Sequence, residues 1–523
     1  MSRHDRRAPG ALRRERVDAP RDATGRVDLD ACVAALGPAD LLETASGHGW
    51  SYLVPHTGWY LRDDGHRTVL RGPDGTRRVL GTDPFAALDA ACSLLGVQPE
   101  RQPEAQPEEP GASPAVGAAE PACTGGLVGA FAYDLGRRSE RLPALSRDDR
   151  GRAHLRLRIA EVICAIPPGR DHLQLLARSL PEELSPQQPA LRRRDALAAQ
   201  VRERLRSASL RQQQIAPQPR PDAQVAWTNL PRDAYLAAVE QVLEAIAAGE
   251  LFQANLAQRL SARWPGDVHQ LYRALRRASP APFGAALPDA GVASVSPETF
   301  LAVDGDRVTT RPIKGTRPRA AAAALDAALA DDLATSAKDR AENVMVVDME
   351  RNDLGRVCRT GSVTVPELTQ LEGHPTVWHL VSTVTGRLVP DTGYGELLRA
   401  TFPCGSITGA PKIAAMTSIE GLEGVRRGMY CGAIGFLSPG QARLSVAIRT
   451  AVLHPSGVVD HGAGGGIVAD SDPDAEHAET LDKAAAFLRA VAALRVDPGP
   501  DVTGGRTAGR AARVPLAAQE TAR

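Results

Sequence analysis

The sequence has few aromatic residues, and this scarcity limits how its core can be built. Aromatic side chains make up 4% of the 523 residues, whereas hydrophobic residues of all kinds make up 43%. The core must therefore consist mostly of Ala, Val and Leu. The formal net charge at pH 7 is zero, so the chain has no overall field that would attract nucleic acid or an anionic membrane. We predict neither kind of partner.

Cysteine is also scarce. The seven cysteines include no C-x-x-C pair, which argues against a disulfide framework or a zinc site and for reduced thiols in a cytosol. No apolar run approaches the roughly 20 residues that a membrane-spanning helix requires. The first thirty residues contain no apolar segment of the kind that signal peptides carry. Together these absences predict a cytoplasmic protein.

Composition divides the chain into four parts. Residues 1–27 are charged and lack periodicity, and we predict that they form a disordered tail. Residues 28–225 are predicted to form a first domain, with a Pro-rich insertion near 98–125 whose composition is that of a flexible segment. Residues 226–496 are predicted to form a second domain, and the Gly/Arg/Ala-rich residues 497–523 a second disordered tail.

The segment RPIKGTRPR, at 311–319, presents a lysine in an unusual setting. Pro312 and Pro318 bracket Lys314 and Gly315, and prolines restrict the backbone while a glycine permits close approach. We predict a turn that presents Lys314. Considered alone, a solvated loop lysine is the commoner interpretation of such a pattern.

Carboxylates recur at helical spacing in two places. Asp339 and Glu342 are three residues apart in a helix predicted over 331–348, and Glu476 and Glu479 repeat the arrangement in the last helix, one turn before Lys483. Residues three apart share a helix face. Two such pairs brought together would suit Mg²⁺, which binds carboxylates, water and substrate oxygens. The alternative is an ordinary surface salt bridge between Glu479 and Lys483.

Two further patterns predict an anion pocket. Gly464 and Gly466 lie in a glycine-rich segment, predicted as a loop, whose backbone N–H groups can hold a carboxylate or phosphate. Arg449 lies in a strand predicted over 444–453, on the face opposite Leu444 and Val446. A small anionic substrate follows from these residues, but the reaction does not.

The same segments resemble the chorismate-utilising enzymes, a family that includes the large subunits of anthranilate synthase and aminodeoxychorismate synthase. The matching segments fall in the family's order, at 296–298, 311–319, 341–342, 347–353, 378–382, 405–412, 430–432, 448–450 and 463–483. A further match at 133–138 extends the resemblance into the first half. It implies an α+β fold in which two facing, largely antiparallel sheets are flanked by helices, with an anthranilate-synthase-like first domain and a chorismate-binding catalytic domain.

The resemblance also implies roles for individual residues. The general acid would be Glu298, with His379 beside the substrate ring. Mg²⁺ would be held directly by Glu342 and Glu479, with Glu476 and Asp339 acting through water. Asp339 departs from the family's usual glutamate. The remaining substrate-binding residues would be Gly315, Thr316, Tyr430, Arg449, Gly464, Gly466 and Lys483.

Two positions bear on which reaction the resemblance implies. Family members that add water at C2 carry a basic lysine where this chain has Gln253, so ammonia is the expected nucleophile. Anthranilate synthases usually carry alanine where this chain has Lys314, whereas in aminodeoxychorismate synthases this lysine is thought to attack the substrate. The resemblance is therefore to component I of aminodeoxychorismate synthase, which serves p-aminobenzoate and folate synthesis. Amination at C2 and a non-catalytic homologue are the alternatives.

The resemblance implies a partner subunit and a small-molecule ligand for the chain. None of the cysteines lies in a Gly-x-Cys-x-Gly setting, so a separate glutamine amidotransferase subunit is expected to supply ammonia, docking near residues 405–412. Residues 41–46 resemble the family's buried amino-acid pocket, and a tryptophan-like ligand is expected there.

Overall fold

The secondary structure consists of long antiparallel sheets and intervening helices. The computed structural model describes residues 11–44, 49–100, 120–184, 189–209, 226–374, 377–493 and 513–514. The strands are β1 (Leu12–Val17), β2 (Ala39–Glu43), β3 (Ser51–Pro55), β4 (Tyr60–Asp63), β5 (Thr68–Arg71), β6 (Arg77–Gly81), β7 (Gly126–Phe131), β8 (Leu155–Ala160), β9 (Val162–Ile166), β10 (Leu173–Arg178), β11 (Ala226–Thr228), β12 (Gln253–Arg263), β13 (Phe283–Leu287), β14 (Val292–Ser296), β15 (Thr299–Asp304), β16 (Arg307–Arg311), β17 (Ile313–Pro318), β18 (Thr364–Gly373), β19 (Val377–Arg387), β20 (Gly409–Ala410), β21 (Ala433–Ser438), β22 (Gln441–Val446), β23 (Thr450–Leu453), β24 (Val458–Ile467) and β25 (Arg513–Val514).

The helices lie between these strands in the sequence. They are α1 (Leu29–Leu36), α2 (Pro84–Leu95), α3 (Ala190–Ser209), α4 (Arg232–Ala247), α5 (Val268–Ala278), α6 (Ala323–Thr335), α7 (Ala337–Gly355), α8 (Tyr394–Thr401), α9 (Lys412–Leu422) and α10 (Pro473–Ala492). Short 3₁₀ turns occur at Tyr133–Arg138, Glu182–Leu184, Pro288–Ala290 and Gly405–Ile407.

Two antiparallel sheets face each other, as predicted. The first runs in the order β1-β10-β9-β3-β2-β13-β14-β23-β24-β12-β11-β25, with β20 also paired to β12; the second runs β17-β19-β16-β15-β22-β21-β7-β8-β4-β5-β6, with β18 also paired to β19. Tyr52 of the first sheet and Phe436 of the second have ring centroids 5.6 Å apart. A second buried cluster joins the two sheets and combines small side chains, such as Ala130 and Ala285, with Leu287 and Ile434.

Helices cover the outer faces of both sheets. On the first sheet, α1, α3, α5 and α10 bury an apolar cluster with the strands. The ring of Phe487 in α10 stacks on His461 of β24, with centroids 4.8 Å apart. On the second sheet, residues of α2, α7, α8 and α9 join the strands in another buried cluster. None of the helices in the part of the chain that the structure covers is long and apolar enough to cross a membrane.

The predicted N-terminal tail over residues 1–27 is wrong where the chain forms β1. This strand pairs antiparallel with β10, from Leu12 opposite Arg178 to Val17 opposite Leu173. Its many charges are used in ion pairs, including those of Glu15 with Arg13 and Arg202. A charged edge strand has the same composition as a tail, because backbone hydrogen bonds and not apolar side chains attach it to the sheet.

Both sheets cross the predicted boundary at residues 225–226. From the first part, β2 pairs with β13 and β7 pairs with β21. The two predicted domains therefore share their sheets. Residues 101–119 of the predicted insertion lie outside the described residues, as does the predicted C-terminal tail apart from β25.

We expect Phe487→Ala to lower the free energy of unfolding by about 3–5 kcal/mol, because it leaves a cavity between α10 and β24. Phe487 is fully buried, whereas Phe252 is 68% exposed. The same change at Phe252 is the matched control and should cost far less. Urea unfolding of both variants measures the difference, and equal losses would contradict the packing described.

Candidate active site

Lys314 lies in β17 beside an irregularity in the sheet. The pairing of β17 with β19 shifts register between Ile313 and Thr316, as at a β-bulge. Gly315 has a φ of +82°, and a Cβ there would come within 2.7 Å of Leu333 and 2.9 Å of Asp339. The predicted turn at 311–319 is thus a bulged strand, because its backbone pairs with β19 while the bulge accommodates Lys314 and Gly315.

Residues of four elements lie together around the Lys314 amine. Its Nζ lies 4.0 Å from Glu342 Oε2 of α7, and Gln253 of β12 donates from Nε2 to the same oxygen at 3.4 Å. A Cβ on Gly466 of β24 would lie 2.0 Å from Gln253 Nε2 and 3.5 Å from Lys314 Nζ. Burial lowers the pKa of Lys314, although Glu342 opposes the shift. The site favours a neutral amine there.

Glu298 lies in the short connection between β14 and β15. It is buried, and its Oε1 has no hydrogen-bond partner among the described residues. Burial raises the pKa of Glu298 to about 6, with the Ser406 hydroxyl and Lys314 opposing the shift. A carboxyl of this kind can hold a proton close to neutral pH.

His379 lies in β19, directly opposite Thr316 of β17. Its Nδ1 is 3.0 Å from Thr316 Oγ1, and its ring centroid is 5.1 Å from that of His374. Burial, with a contribution from His374, lowers the pKa of His379 to about 4. The imidazole is therefore neutral at pH 7.

The glycine segment predicted as a loop belongs to strand β24. Gly464 and Gly466 lie opposite Ala257 and Asn255 of β12. The N–H groups of these two β12 residues donate elsewhere, to Glu423 Oε1 and to the Thr408 carbonyl. In an antiparallel pair, facing residues either exchange both hydrogen bonds or exchange none. The Gly464 and Gly466 N–H groups therefore point away from β12, toward the side of β24 that β23 covers only as far as His461. On that side, Gly464 and Gly466 lie beyond the last pair of β23 with β24.

Arg449 lies where the chain crosses from one sheet to the other. The strand predicted over 444–453 is broken, because β22 ends at Val446 in the second sheet and β23 begins at Thr450 in the first. Arg449 has a φ of +51°, so side-chain alternation along one strand does not set its direction. Burial lowers the pKa of Arg449, and Tyr430 and Glu479 oppose the shift. Within the described ranges no hydrogen bond or ion pair engages its guanidinium, which is therefore available to an anion.

Tyr430 packs against β24. A Cβ added to Gly462 would lie 2.2 Å from the tyrosine ring. The Arg427 guanidinium lies 5.6 Å from the centre of the same ring. These contacts hold Tyr430 beside the strand that carries Gly464 and Gly466.

The predicted carboxylates lie on two helices. The helix predicted over 331–348 is broken at Ser336, whose side chain accepts the Asp339 N–H and begins α7. The Asp339 carboxylate already pairs with Arg317 at 3.2 Å. In α10, Glu479 pairs with Lys483 at 2.5 Å, and Lys483 also donates to the Gly464 carbonyl at 3.0 Å.

These carboxylates fit a hard cation by their chemistry. Ser471 donates to Glu476 Oε1 at 2.6 Å, while Glu476 Oε2 is buried with no partner among the residues described. Burial raises the pKa of Glu342, and the neighbouring carboxylates Asp339 and Glu479 add to the shift. The described ranges contain no cluster of three or more His, Cys, Asp or Glu that could ligate a metal. Two direct carboxylates with waters and substrate oxygens are a coordination that Mg²⁺ accepts.

Sequence reasoning assigned no role to the residues behind Glu298. Glu350 of α7 is fully buried and bonds to the turn that carries Cys404 and Ser406. A sequence signal was available, since Glu350 falls on the buried face of α7 with Val346 and Val347.

Comparison with known proteins is consistent with this geometry. A match to the family described as chorismate binding enzyme spans residues 65–489. The chain belongs to the chorismate binding enzymes. Aminodeoxychorismate synthase component 1 of Escherichia coli K12 is 42% identical over 369 residues, which are 70% of this chain and 76% of that protein. The family and this relative show that the chain is an enzyme.

Other relatives of this chorismate binding enzyme carry a different name. Anthranilate synthase component 1 of Mycolicibacterium smegmatis is 36% identical over 478 residues, covering 87% of this chain and 85% of that protein. The crystal structure of anthranilate synthase component I from Streptococcus pneumoniae TIGR4 superposes with a TM-score of 0.67 and 28% identity, covering 84% of this chain and 92% of that one. The choice between the two activities therefore rests on individual residues.

We expect Gly466→Ala to reduce chorismate consumption about 100-fold, because its methyl group displaces Gln253 and crowds the Lys314 amine. Gly421→Ala is the matched control, since a Cβ there meets nothing closer than 3.7 Å. Steady-state rates and melting temperatures of both variants test this. Full activity in Gly466→Ala would contradict the placement of Lys314 beside β24.

Proposed function

We propose that this enzyme is an aminodeoxychorismate synthase component 1, which aminates chorismate at C4 with ammonia. The observation that carries the proposal is the Lys314 amine, which lies 4.0 Å from Glu342 and close to Gly466 on a side chain that is only 12% exposed. Burial lowers the pKa of Lys314, and a lysine must be neutral to act as a nucleophile. Gln253 occupies the position at which a base would activate water, and an amide cannot do so.

The reaction divides into two displacements. Glu298 donates its proton to the C4 hydroxyl, which leaves as water, while the Lys314 nitrogen bonds to C2 and both ring double bonds shift. Ammonia then bonds to C4, both double bonds shift back, and the C2–nitrogen bond breaks to release Lys314 as the neutral amine. The proton lost from the incoming nitrogen returns to Glu298. The net change is chorismate plus ammonia to aminodeoxychorismate plus water, so no oxidant or reductant is required.

The remaining residues would bind the substrate. Arg449, Tyr430 and the free N–H groups of Gly464 and Gly466 would hold the enolpyruvyl carboxylate, with Lys483 neutralising charge nearby. His379, neutral and bonded to Thr316, would lie beside the ring. Gly315 permits the bulge that accommodates Lys314.

The two glutamate-bearing helices would hold Mg²⁺. Glu342 and Glu479 would bind the ion directly, and Glu476 would act through water. Asp339 would also act only through water, because Arg317 already pairs with it. When bound, Mg²⁺ would neutralise and orient the ring carboxylate of chorismate.

Ammonia would come from a separate glutaminase subunit. All seven cysteines of the chain are buried, and burial raises the pKa of Cys404 and Cys431, the two nearest the site. Such thiols are inert nucleophiles. The partner would dock near residues 405–412, and the product would serve p-aminobenzoate and folate synthesis.

The predicted tryptophan-like ligand would occupy a cavity between the sheets. Leu42, Glu43 and Thr44 line this cavity of about 480 Å³, together with Trp50. The rest of the predicted pocket segment, from residue 45, lies outside the described residues. The Glu43 carboxylate is already engaged by Arg170, Arg276 and Tyr272. An amino-acid ligand in this cavity stays a prediction.

The second candidate function is amination at C2, and the 36% identity to an anthranilate synthase component 1 favours it. Lys314 argues against it, because C2 amination needs no lysine nucleophile. A non-catalytic homologue is a weaker alternative, since Glu342, Glu476 and Glu479 are all present.

We expect the purified chain, given chorismate, Mg²⁺ and ammonium, to form a product aminated at C4, identified by mass spectrometry and by conversion to p-aminobenzoate with an added lyase. Lys314→Ala should lower the rate at which this product forms by about 100-fold or more, because it removes the nucleophile. Arg206→Ala, a change at an exposed basic residue of α3 that pairs with Glu203, is the control. Anthranilate or another C2-amino product from the wild type would overturn the proposal in favour of the second candidate.

We also expect glutamine alone to support no turnover, since the chain has no accessible thiolate to release ammonia from it. Replacing ammonium by glutamine in the same assay checks this, with an added glutaminase subunit as the positive control. Glutamine-dependent turnover by the chain alone would contradict the need for a partner.

A further inference from the structure

One asparagine lies on the buried face of α7, where helical spacing predicts an apolar side chain. Asn343 is fully buried and shares this face with Val346 and Val347. A buried amide costs free energy unless its polar atoms form hydrogen bonds. Where those bonds exist, a single polar residue fixes the register of a helix, because the bonds form in one placement only. Asn343 is therefore a candidate for fixing the placement of α7.

Both polar atoms of the Asn343 amide bind β19. Its Nδ2 donates to the Leu380 carbonyl at 3.2 Å, and its Oδ1 accepts the Ser382 hydroxyl. Ser382 is fully buried as well. Hydrogen bonds between buried groups are costly to lose, because each group left behind has given up its contact with water. The amide thus joins α7 to β19 at two points along the strand.

One of these points faces the bulge that carries Lys314, and the other lies just before it. The irregularity in β17 places two residues, Lys314 and Gly315, opposite the single residue Leu380. Before the bulge, the Ser382 N–H donates to the Pro312 carbonyl at 3.2 Å. The segment of β19 that positions the bulge is therefore the same segment to which the amide attaches α7.

A strained residue of β18 completes the bonding of Ser382. The Thr369 N–H donates to the Ser382 hydroxyl oxygen at 2.8 Å. Thr369 has a φ of +52°, which is unfavourable for a β-branched residue, and it lies where the pairing of β18 with β19 shifts register between Glu367 and Gln370. Strain of this kind persists where the surrounding structure enforces it, and it clusters at functional sites. Because the hydroxyl oxygen accepts from Thr369, its proton is directed to Asn343.

We propose that Asn343 is a positioning residue that sets the distance between Glu342 and Lys314. Glu342 precedes it in α7, and Glu342 Oε2 lies 4.0 Å from Lys314 Nζ. Apolar contacts alone would let α7 shift along β19, and a displacement of about 1 Å at a reacting centre can cost about 100-fold in rate. The two hydrogen bonds of the amide prevent that shift. The inference rests on the proposed function, in which Glu342 would hold Mg²⁺ and Lys314 attacks the substrate.

The test measures Mg²⁺ binding and turnover in Asn343→Leu, in Ser382→Ala and in the double variant. Binding is measured by calorimetry with chorismate present and ammonia absent. Asn343→Leu keeps the face apolar but lacks the amide, and it should weaken Mg²⁺ binding and lower kcat, each by about 10-fold or more. Ser382→Ala breaks one of the two bonds and should have a smaller effect in the same direction. The double variant should be no worse than Asn343→Leu, because both changes break the same contact.

The affinity for Mg²⁺ separates positioning from stability. A purely structural role would reduce the amount of folded enzyme, and hence the rate, without changing this affinity. Thr68→Val is the matched control. Thr68 is fully buried in β5, near the opposite edge of the second sheet, and its hydroxyl donates to Asp63 Oδ2 at 2.7 Å. Its loss should lower the melting temperature but leave Mg²⁺ binding and kcat at wild-type values.

Each outcome supports or overturns the inference. Wild-type Mg²⁺ affinity in both single variants, or equal losses in Thr68→Val, overturns the role of Asn343 while the proposed function stands. Should Asn343→Leu not fold, Ser382→Ala must by itself weaken Mg²⁺ binding and lower kcat, and wild-type values there overturn the inference. A wild type that does not aminate chorismate at C4 overturns the proposed function and this inference with it.

Discussion

The burial of ionisable side chains in one small volume is the constraint on which the proposed site depends. Lys314 and Glu298 both lie within it, and burial moves both toward their neutral forms: the pKa of Lys314 falls and that of Glu298 rises to about 6. In water the same two groups would be an ammonium and a carboxylate. The same desolvation therefore favours a neutral amine that can attack and a protonated acid that can donate. The charge of Lys314 opposes the pKa shift of Glu298, and the charge of Glu298 opposes the pKa shift of Lys314.

The fold creates this volume by using short side chains where strands must come close. Gly466 leaves room for Gln253 and the Lys314 amine, and a Cβ on Gly465 would lie 2.8 Å from Glu476 Oε2. Since β23 ends its pairing before Gly464, the strand also presents backbone N–H groups at an open edge. Arg449 joins them because the chain changes sheets just before β23. The proposed anion pocket thus depends on where strand pairing stops as much as on which side chains are present.

Local patterns in the sequence were sufficient for part of this arrangement. The spacing of Glu476 and Glu479 correctly predicted a shared helix face in α10, a helix that Asp472 caps. Two facing antiparallel sheets also followed from the family resemblance. Patterns failed where side chains carry no information: Gly464 and Gly466 have no side chains to alternate, so a strand resembled a loop, and the charged β1 resembled a tail. The placement of Glu342 beside Lys314 and of Glu479 beside Gly465 depends on long-range pairing of β17 with β19 and of β12 with β24, which no local pattern encodes.

In the proposed reaction, Lys314 acts as a nucleophile and does not serve only as a positive charge. Intact-protein and peptide mass spectrometry of the enzyme incubated with chorismate and Mg²⁺, in the absence of ammonia, tests it directly. The account predicts a covalent adduct on Lys314 with the mass of chorismate less water, which disappears when ammonium is added and is absent from Lys314→Ala. An enzyme that aminates chorismate but never forms an adduct, or forms it on another residue, would contradict the account.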